Sequence, residues 1–186
     1  MTAMIPAWVG GALQPVEKLE VHRRGLRHKA ISVFVTSGEF VLLQQRAMCK
    51  YHTPGLWANT CCTHPHWDEA SAVAAERRLY EELGIAGLDL VHRDRVEYRA
   101  AVGDDMIEHE VVDIFVAEMD RSQHFVPNPD EVMKTSWVHS GDLARLIDRA
   151  PETYTPWFKI YVARHAEQIF GIAFANAARR SKEPVS

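Results

Sequence analysis

The chain has 186 residues, 47% of them hydrophobic, with a net charge of -4 and a pI near 6.2. That length suits one compact domain with its own core, and the mild acidic balance leaves no basic footprint for a nucleic-acid partner. Three cysteines, two of them adjacent at Cys61 and Cys62, give no disulfide framework, so reduced thiols are expected.

Residues 1–14 are apolar in places but lack the positively charged start of a secretory signal, and nowhere do about 18 apolar residues run together. The expectation is a cytoplasmic protein with no membrane insertion. Residues 1–186 read as one domain, with 1–17 an N-terminal extension and 181–186 a flexible tail.

In chain order, KAISVFVTSGEFVLLQQR at 29–46 has two β-branched or aromatic runs around Ser37, Gly38 and Glu39, which predicts a hairpin. Residues 68–83 place Ala72, Ala75, Leu79 and Leu83 three or four apart, the spacing of one helical face, and Gly84 supplies the stop. Strands are expected at 88–99, 108–118 and 135–139, then a helix at 140–149. A last helix has Thr155 as cap and Pro156 at its first position, continuing through Phe158, Val162, Ile169 and Phe174. Strands, one central helix, more strands and final helices describe an α/β or α+β fold, with mixed sheets sandwiched between helices.

On the central helix Arg78 and Glu82 lie four apart and Glu81 one step round. Such carboxylates can hold a hard divalent cation that neutralises phosphate oxygens, or can simply form a salt-bridged helix surface. The segment THPHWDEASAVAAERRLYEELGI at 63–85 resembles a Nudix box, G-x5-E-x7-R-E-U-x-E-E-x-G-U with U aliphatic. Glu69, Arg77, Leu79, Glu81, Glu82, Gly84 and Ile85 fall in register, while Thr63 replaces the first Gly and Arg78 replaces a Glu. Losing that carboxylate counts against the diphosphate hydrolysis that Nudix hydrolases perform.

Ten histidines invite a search for grouping. His22 and His28 precede the hairpin, His64 follows the cysteine pair, and Glu108 and Glu110 sit two apart on an expected strand, projecting from one face while His109 faces away. Imidazoles with carboxylate oxygens suit a near-octahedral divalent ion such as Mn2+, Mg2+ or Zn2+.

WANTCCTHP at 57–65 is similar to the cysteine-bearing segment of the type 1 isopentenyl diphosphate isomerases. GLRHKAISVF, EYRA, EHEV, EVMKTSWV and TPWF, at 25–34, 97–100, 108–111, 131–138 and 155–158, stand beside it in that family's order. The resemblance implies that His22, His28, His64, Glu108 and Glu110 bind the catalytic metal and that Cys62 and Glu110 are the catalytic pair. Cys62 is preferred to Cys61 because it keeps the two-residue step to His64. Glu82 would help hold a Mg2+ that bridges the substrate's diphosphate, with Lys18, Arg46, Lys50 and Arg78 as cationic contacts; a plain Arg78–Glu82 ion pair is the competing reading.

The implied substrate is isopentenyl diphosphate, whose double bond moves from C3–C4 to C2–C3 by protonation at C4 and proton loss at C2, through a tertiary cation at C3. An alkene is a feeble base, so the acid must meet it in a pocket emptied of water. Glu110, hydrogen-bonded near Tyr98, is the preferred acid and Cys62 the base, with the reverse order open. Trp157 either stabilises the cation through its ring face or fills the core. The rival readings are a Nudix diphosphate hydrolase and a non-catalytic binding module, in a monomer or homodimer.

Overall fold

The computed structural model describes residues 3–103 and 105–171. Strands β1 (Met4–Val9) and β2 (Ala12–Glu17) pair antiparallel, so the N-terminal extension carries a hairpin. Gly10 and Gly11 at its tip have φ of 59° and 86°, a left-handed backbone that a Cβ would oppose.

Helix α1 (Lys18–Arg24) follows at once, its first turn capped by the Glu17 carboxylate, which accepts from the Leu19 and Glu20 N–H groups. The chain continues through β3 (Arg27–Ser37), β4 (Phe40–Arg46), β5 (Trp57–Ala58), β6 (Cys61–Thr63), α2 (Ser71–Leu83), β7 (Val91–Ala101), β8 (Ile107–Glu118) and β9 (Val132–His139). After a 3-10 turn come α3 (Leu143–Arg149), a second 3-10 turn, α4 (Pro156–Arg164) and α5 (Ala166–Phe170).

Three expectations are corrected. Asp68 has φ 66°, outside helical space, so the central helix begins at Ser71. Thr155 occupies the cap position of α4, but its buried Oγ1 makes no hydrogen bond. The last helix breaks at His165, φ -127°, which leaves Ile169 in α5; Phe174 and residues 181–186 lie outside the described residues.

The nine strands among the described residues form one mixed sheet, and β3 is its hub. It runs parallel to β8, with His28 opposite Glu110, and antiparallel to β1, β4 and β6. Strand residues alternate between faces. Ala30, Phe34, Val112 and Ile114 pack with Leu143 of α3, Trp157, Phe158 and Tyr161 of α4, and Ile169 of α5. Ile31, Val33, Val35 and Phe115 pack with Ala74, Ala75, Leu79 and Leu83 of α2. The expected sandwich, a mixed sheet between helices, is what forms.

Candidate active site

The α4 side of the sheet carries a knot of buried polar groups. His22 comes from α1 and His28 from β3, and each donates through Nδ1 to a backbone carbonyl, Lys18 at 2.6 Å and Leu26 at 2.7 Å. A carbonyl only accepts, so Nδ1 carries the hydrogen on both rings and Nε2 carries the lone pair. His64, just past β6, places its Nε2 3.2 Å from that of His28 and 2.9 Å from Glu110 Oε1. Donor atoms of His22, His28, His64 and Glu110 all lie within 4.8 Å of one another.

Glu108 and Glu110 project from the same face of β8, as their two-residue spacing requires. Tyr98 of β7 bridges them, its hydroxyl 3.0 Å from Glu108 and 2.5 Å from Glu110. One hydroxyl hydrogen cannot serve both carboxyls. Burial and the neighbouring Glu110 charge push Glu108 well above the usual carboxylate range, so it supplies a proton of its own. For Glu110 burial acts in the same direction, yet the His28 and His64 rings beside it outweigh burial and hold the carboxyl well below that range.

Burial also lowers the imidazoles, His22 to about 4 and His64 well below its ordinary value. Neutral rings are the form that binds metal. The buried Nε2 of His22 has no hydrogen-bond partner among the described residues, although its lone pair faces other acceptors. Converging lone pairs and a carboxylate repel unless a cation lies among them. By donor chemistry the group therefore fits a divalent ion.

The two adjacent cysteines separate across the sheet. On β6, Cys62 pairs with Ser32 and Cys61 with Val33. Cys61 is buried in the α2 core, whereas Cys62 packs against the α4 core. The Cys62 thiol donates to Asn59 Oδ1 at 2.9 Å and lies 3.1 Å from Ser32 Oγ, which itself donates to the Tyr161 hydroxyl at 3.0 Å. Burial pushes this thiol well up, and the Glu110 charge adds to the effect.

Trp157 is buried in the same core, its ring 5.8 Å from that of His52, with the Arg46 guanidinium 5.3 Å above it. Trp157 fills the core, and its ring faces the Arg46 guanidinium.

Glu82, buried on α2, meets Arg78 at 2.5 Å and Gln44 at 3.0 Å, so the ion pair expected from helical spacing forms. Arg78 also reaches Glu81 at 2.9 Å and Glu131 at 3.2 Å, and Lys50 pairs with Glu131. Arg77 clasps Glu69 through two bonds of 2.7 and 2.8 Å. Arg46 is held by the carbonyls of His52 and Thr53. Burial, and then the charges of Lys50, Arg78 and Arg46, lower Lys18 to about 8 against the opposing pull of Glu82.

The structure thus brings His22, His28, His64, Glu108, Glu110, Tyr98 and Cys62 to one side of the sheet, with Lys18 linking them to the cations near Glu82. Sequence reasoning missed His52, Ser32, Asn59, Tyr161 and Glu131. Ser32 could have been found, since it lies four residues from His28 on a predicted strand and so shares its face.

This fold and site define a NUDIX-domain protein: residues 26–158 match the NUDIX domain. Solved structures of the same fold include a protein of Deinococcus radiodurans, 13% identical at TM-score 0.67 over 87% of this chain and 97% of that one. A MutT NUDIX hydrolase from Burkholderia pseudomallei is 22% identical at TM-score 0.58, covering 75% and 98%. These show the fold alone. Within the superfamily the chain belongs to the isopentenyl-diphosphate Delta-isomerase family. It is 64% identical to the protein of that name from Roseobacter denitrificans over 92% of this chain and 97% of that one, and 60% identical to that of Rhodobacter capsulatus over 90% and 95%.

Proposed function

We propose that this chain is an isopentenyl-diphosphate Delta-isomerase, converting isopentenyl diphosphate to dimethylallyl diphosphate. The observation that carries the reading is a thiol and a carboxyl, the half-buried Cys62 and the buried Glu110, on one face of the sheet against the core that holds Trp157, with a cation cluster next to them.

Glu110 and Cys62 exchange one proton across the hydrocarbon. The residue holding it adds it to C4, a tertiary cation forms at C3, and the other residue removes a proton from C2. A turnover therefore leaves the proton on the opposite partner, and by microscopic reversibility each residue is an acid in one direction and a base in the other. The sequence reading takes Glu110 as the acid toward dimethylallyl diphosphate and leaves the reverse order open; the low Glu110 carboxyl beside the raised Cys62 thiol favours the reverse. Tyr98 orients its carboxyl; Ser32 and Asn59 fix the thiol. Water is kept out by Trp157, Tyr161 and Phe158, all 2% exposed or less.

His22, His28, His64, Glu108 and Glu110 would hold a divalent ion, Mn2+, Mg2+ or Zn2+, which when bound supplies positive charge beside the catalytic carboxyl. Glu82 would share a Mg2+ with the diphosphate, and Lys18, Arg46, Lys50 and Arg78 would grip the phosphate oxygens. The protein is assigned to the cytoplasm, as a monomer or homodimer acting on a small molecule.

The experiment is incubation with isopentenyl diphosphate, Mg2+ and heavy water. Deuterated dimethylallyl diphosphate with no phosphate release supports the assignment. Steady phosphate release would instead identify a hydrolase, a reading weakened by the arginine at position 78 and by the names of the 60–64% identical relatives. Binding without hydrogen exchange would identify a non-catalytic module.

A further inference from the structure

His52 has no place in the metal set implied by the resemblance, yet it is 6% exposed and forms a second potential donor group with His22 and Glu108. It sits in the segment between β4 and β5. Its Nδ1 lies 3.1 Å from the Thr53 hydroxyl, which can accept its hydrogen and leave the lone pair on Nε2.

That Nε2 is 3.7 Å from Glu108 Oε1. The gap is too long for a hydrogen bond. It does match two donors around one ion, since metal–ligand distances of about 2.0–2.2 Å set neighbouring and opposed donors roughly 3 to 4.3 Å apart.

Three contacts hold the ring where it is. Tyr51 packs edge-on against it at 4.3 Å, Trp157 meets it at 5.8 Å, and the backbone carbonyls of His52 and Thr53 are tied to Arg46. Thr53, a β-branched residue, is kept at φ 46°.

His22 belongs to both donor groups but has a single lone pair to give, because its Nδ1 is committed to the Lys18 carbonyl. Its buried Nε2, without a hydrogen-bond partner, aims into the space the two groups share. The two groups share His22 but their donor atoms do not all lie within 4.8 Å of one another, so one ion drawing on both would pull His52 and Glu108 toward the other four residues.

We propose that His52 is a further donor to that ion, giving a protein shell of His22, His28, His52, His64, Glu108 and Glu110. The inference rests on the metal-centre reading of this cluster. With His52 among the donors, fewer positions would remain for a water ligand, and the ion would supply positive charge beside Glu110 rather than a hydroxide, unlike a site built for hydrolysis.

The test loads the full chain with Mn2+ and reads two quantities other than turnover, the dissociation constant by chelator competition and the water-proton relaxation caused by the bound ion. In His52→Ala the constant should rise at least about tenfold and relaxation should increase as water enters the freed position. His52→Gln carries the same measurements if the alanine variant fails to fold. His28→Ala is the reference and should lose the ion. If both His52 variants match the parent in affinity and relaxation while His28→Ala loses Mn2+, His52 is no donor and the metal centre stands without it. If His28→Ala also binds Mn2+ as the parent does, the metal-centre reading itself is wrong.

Discussion

Two sets of carboxylates in this molecule have opposite surroundings. Glu69 just before α2, and Glu81 and Glu82 on it, are each met by a guanidinium of that helix. On β8, Glu108 and Glu110 have histidines and a tyrosine within reach and, among the described residues, no guanidinium bonded to either. Carboxylates already neutralised by fixed cations build structure, and under the proposed function the same cations would grip phosphate. Those left among neutral rings, whose lone pairs point inward, make a place for a metal ion.

The largest effect should come from the β8 side. Glu110→Gln and Cys62→Ala should each lower turnover by about 10²- to 10⁴-fold in the heavy-water assay. Cys61→Ala, one residue away and on the other face, should keep turnover within a few-fold. A near-normal rate for Cys62→Ala would remove the thiol from the mechanism.

Metal removal comes next. At a hundred times its dissociation constant an ion stabilises the fold by about 2.7 kcal/mol, or roughly 5 to 10 °C in Tm at this size. A chelator should reverse that shift. His28→Ala should abolish it and Glu82→Gln should retain it; equal losses would erase the contrast between the two sets.

The cations beside α2 can be tested by pH. Lys18 is lowered to about 8, so it is charged below that pH and neutral above it until a diphosphate restores its proton. Substrate binding should therefore take up a proton and weaken above pH 8, by up to about tenfold per unit. The dependence should flatten in Lys18→Met, as measured by binding across pH 7 to 10.

The smallest effect belongs to the turn just before α2. Glu69→Gln removes the pair with Arg77 at 2.7 Å and should cost about 1 kcal/mol or less, with turnover unchanged. A large loss of activity there would mean that this carboxylate still works as it does in a hydrolase.

The two regions also differ in how far the sequence reveals them. Helical spacing alone predicted the Arg78–Glu82 pair and the α2 stop at Gly84, because both are local. Strand alternation predicted that Glu108 and Glu110 share a face. That three histidines from α1, β3 and the end of β6 would meet them depends on non-local pairing, and only the resemblance to the isomerases suggested it. His52 lies in an irregular segment with no periodicity to mark its direction. The N-terminal hairpin was legible in principle, since Gly10-Gly11 between two apolar stretches is a turn signal. The break at His165 has neither Gly nor Pro to announce it.

One strand ties these features together. β3 supplies His28 to the donor cluster and Ser32 to the thiol, and it aligns both with Glu110 through its parallel ladder to β8. A one-residue slip of that ladder would turn every one of those side chains to the opposite face. Loss of the ion-holding half and loss of the thiol-holding half should therefore be a single cooperative event on heating, with no partly melted species that keeps one and not the other.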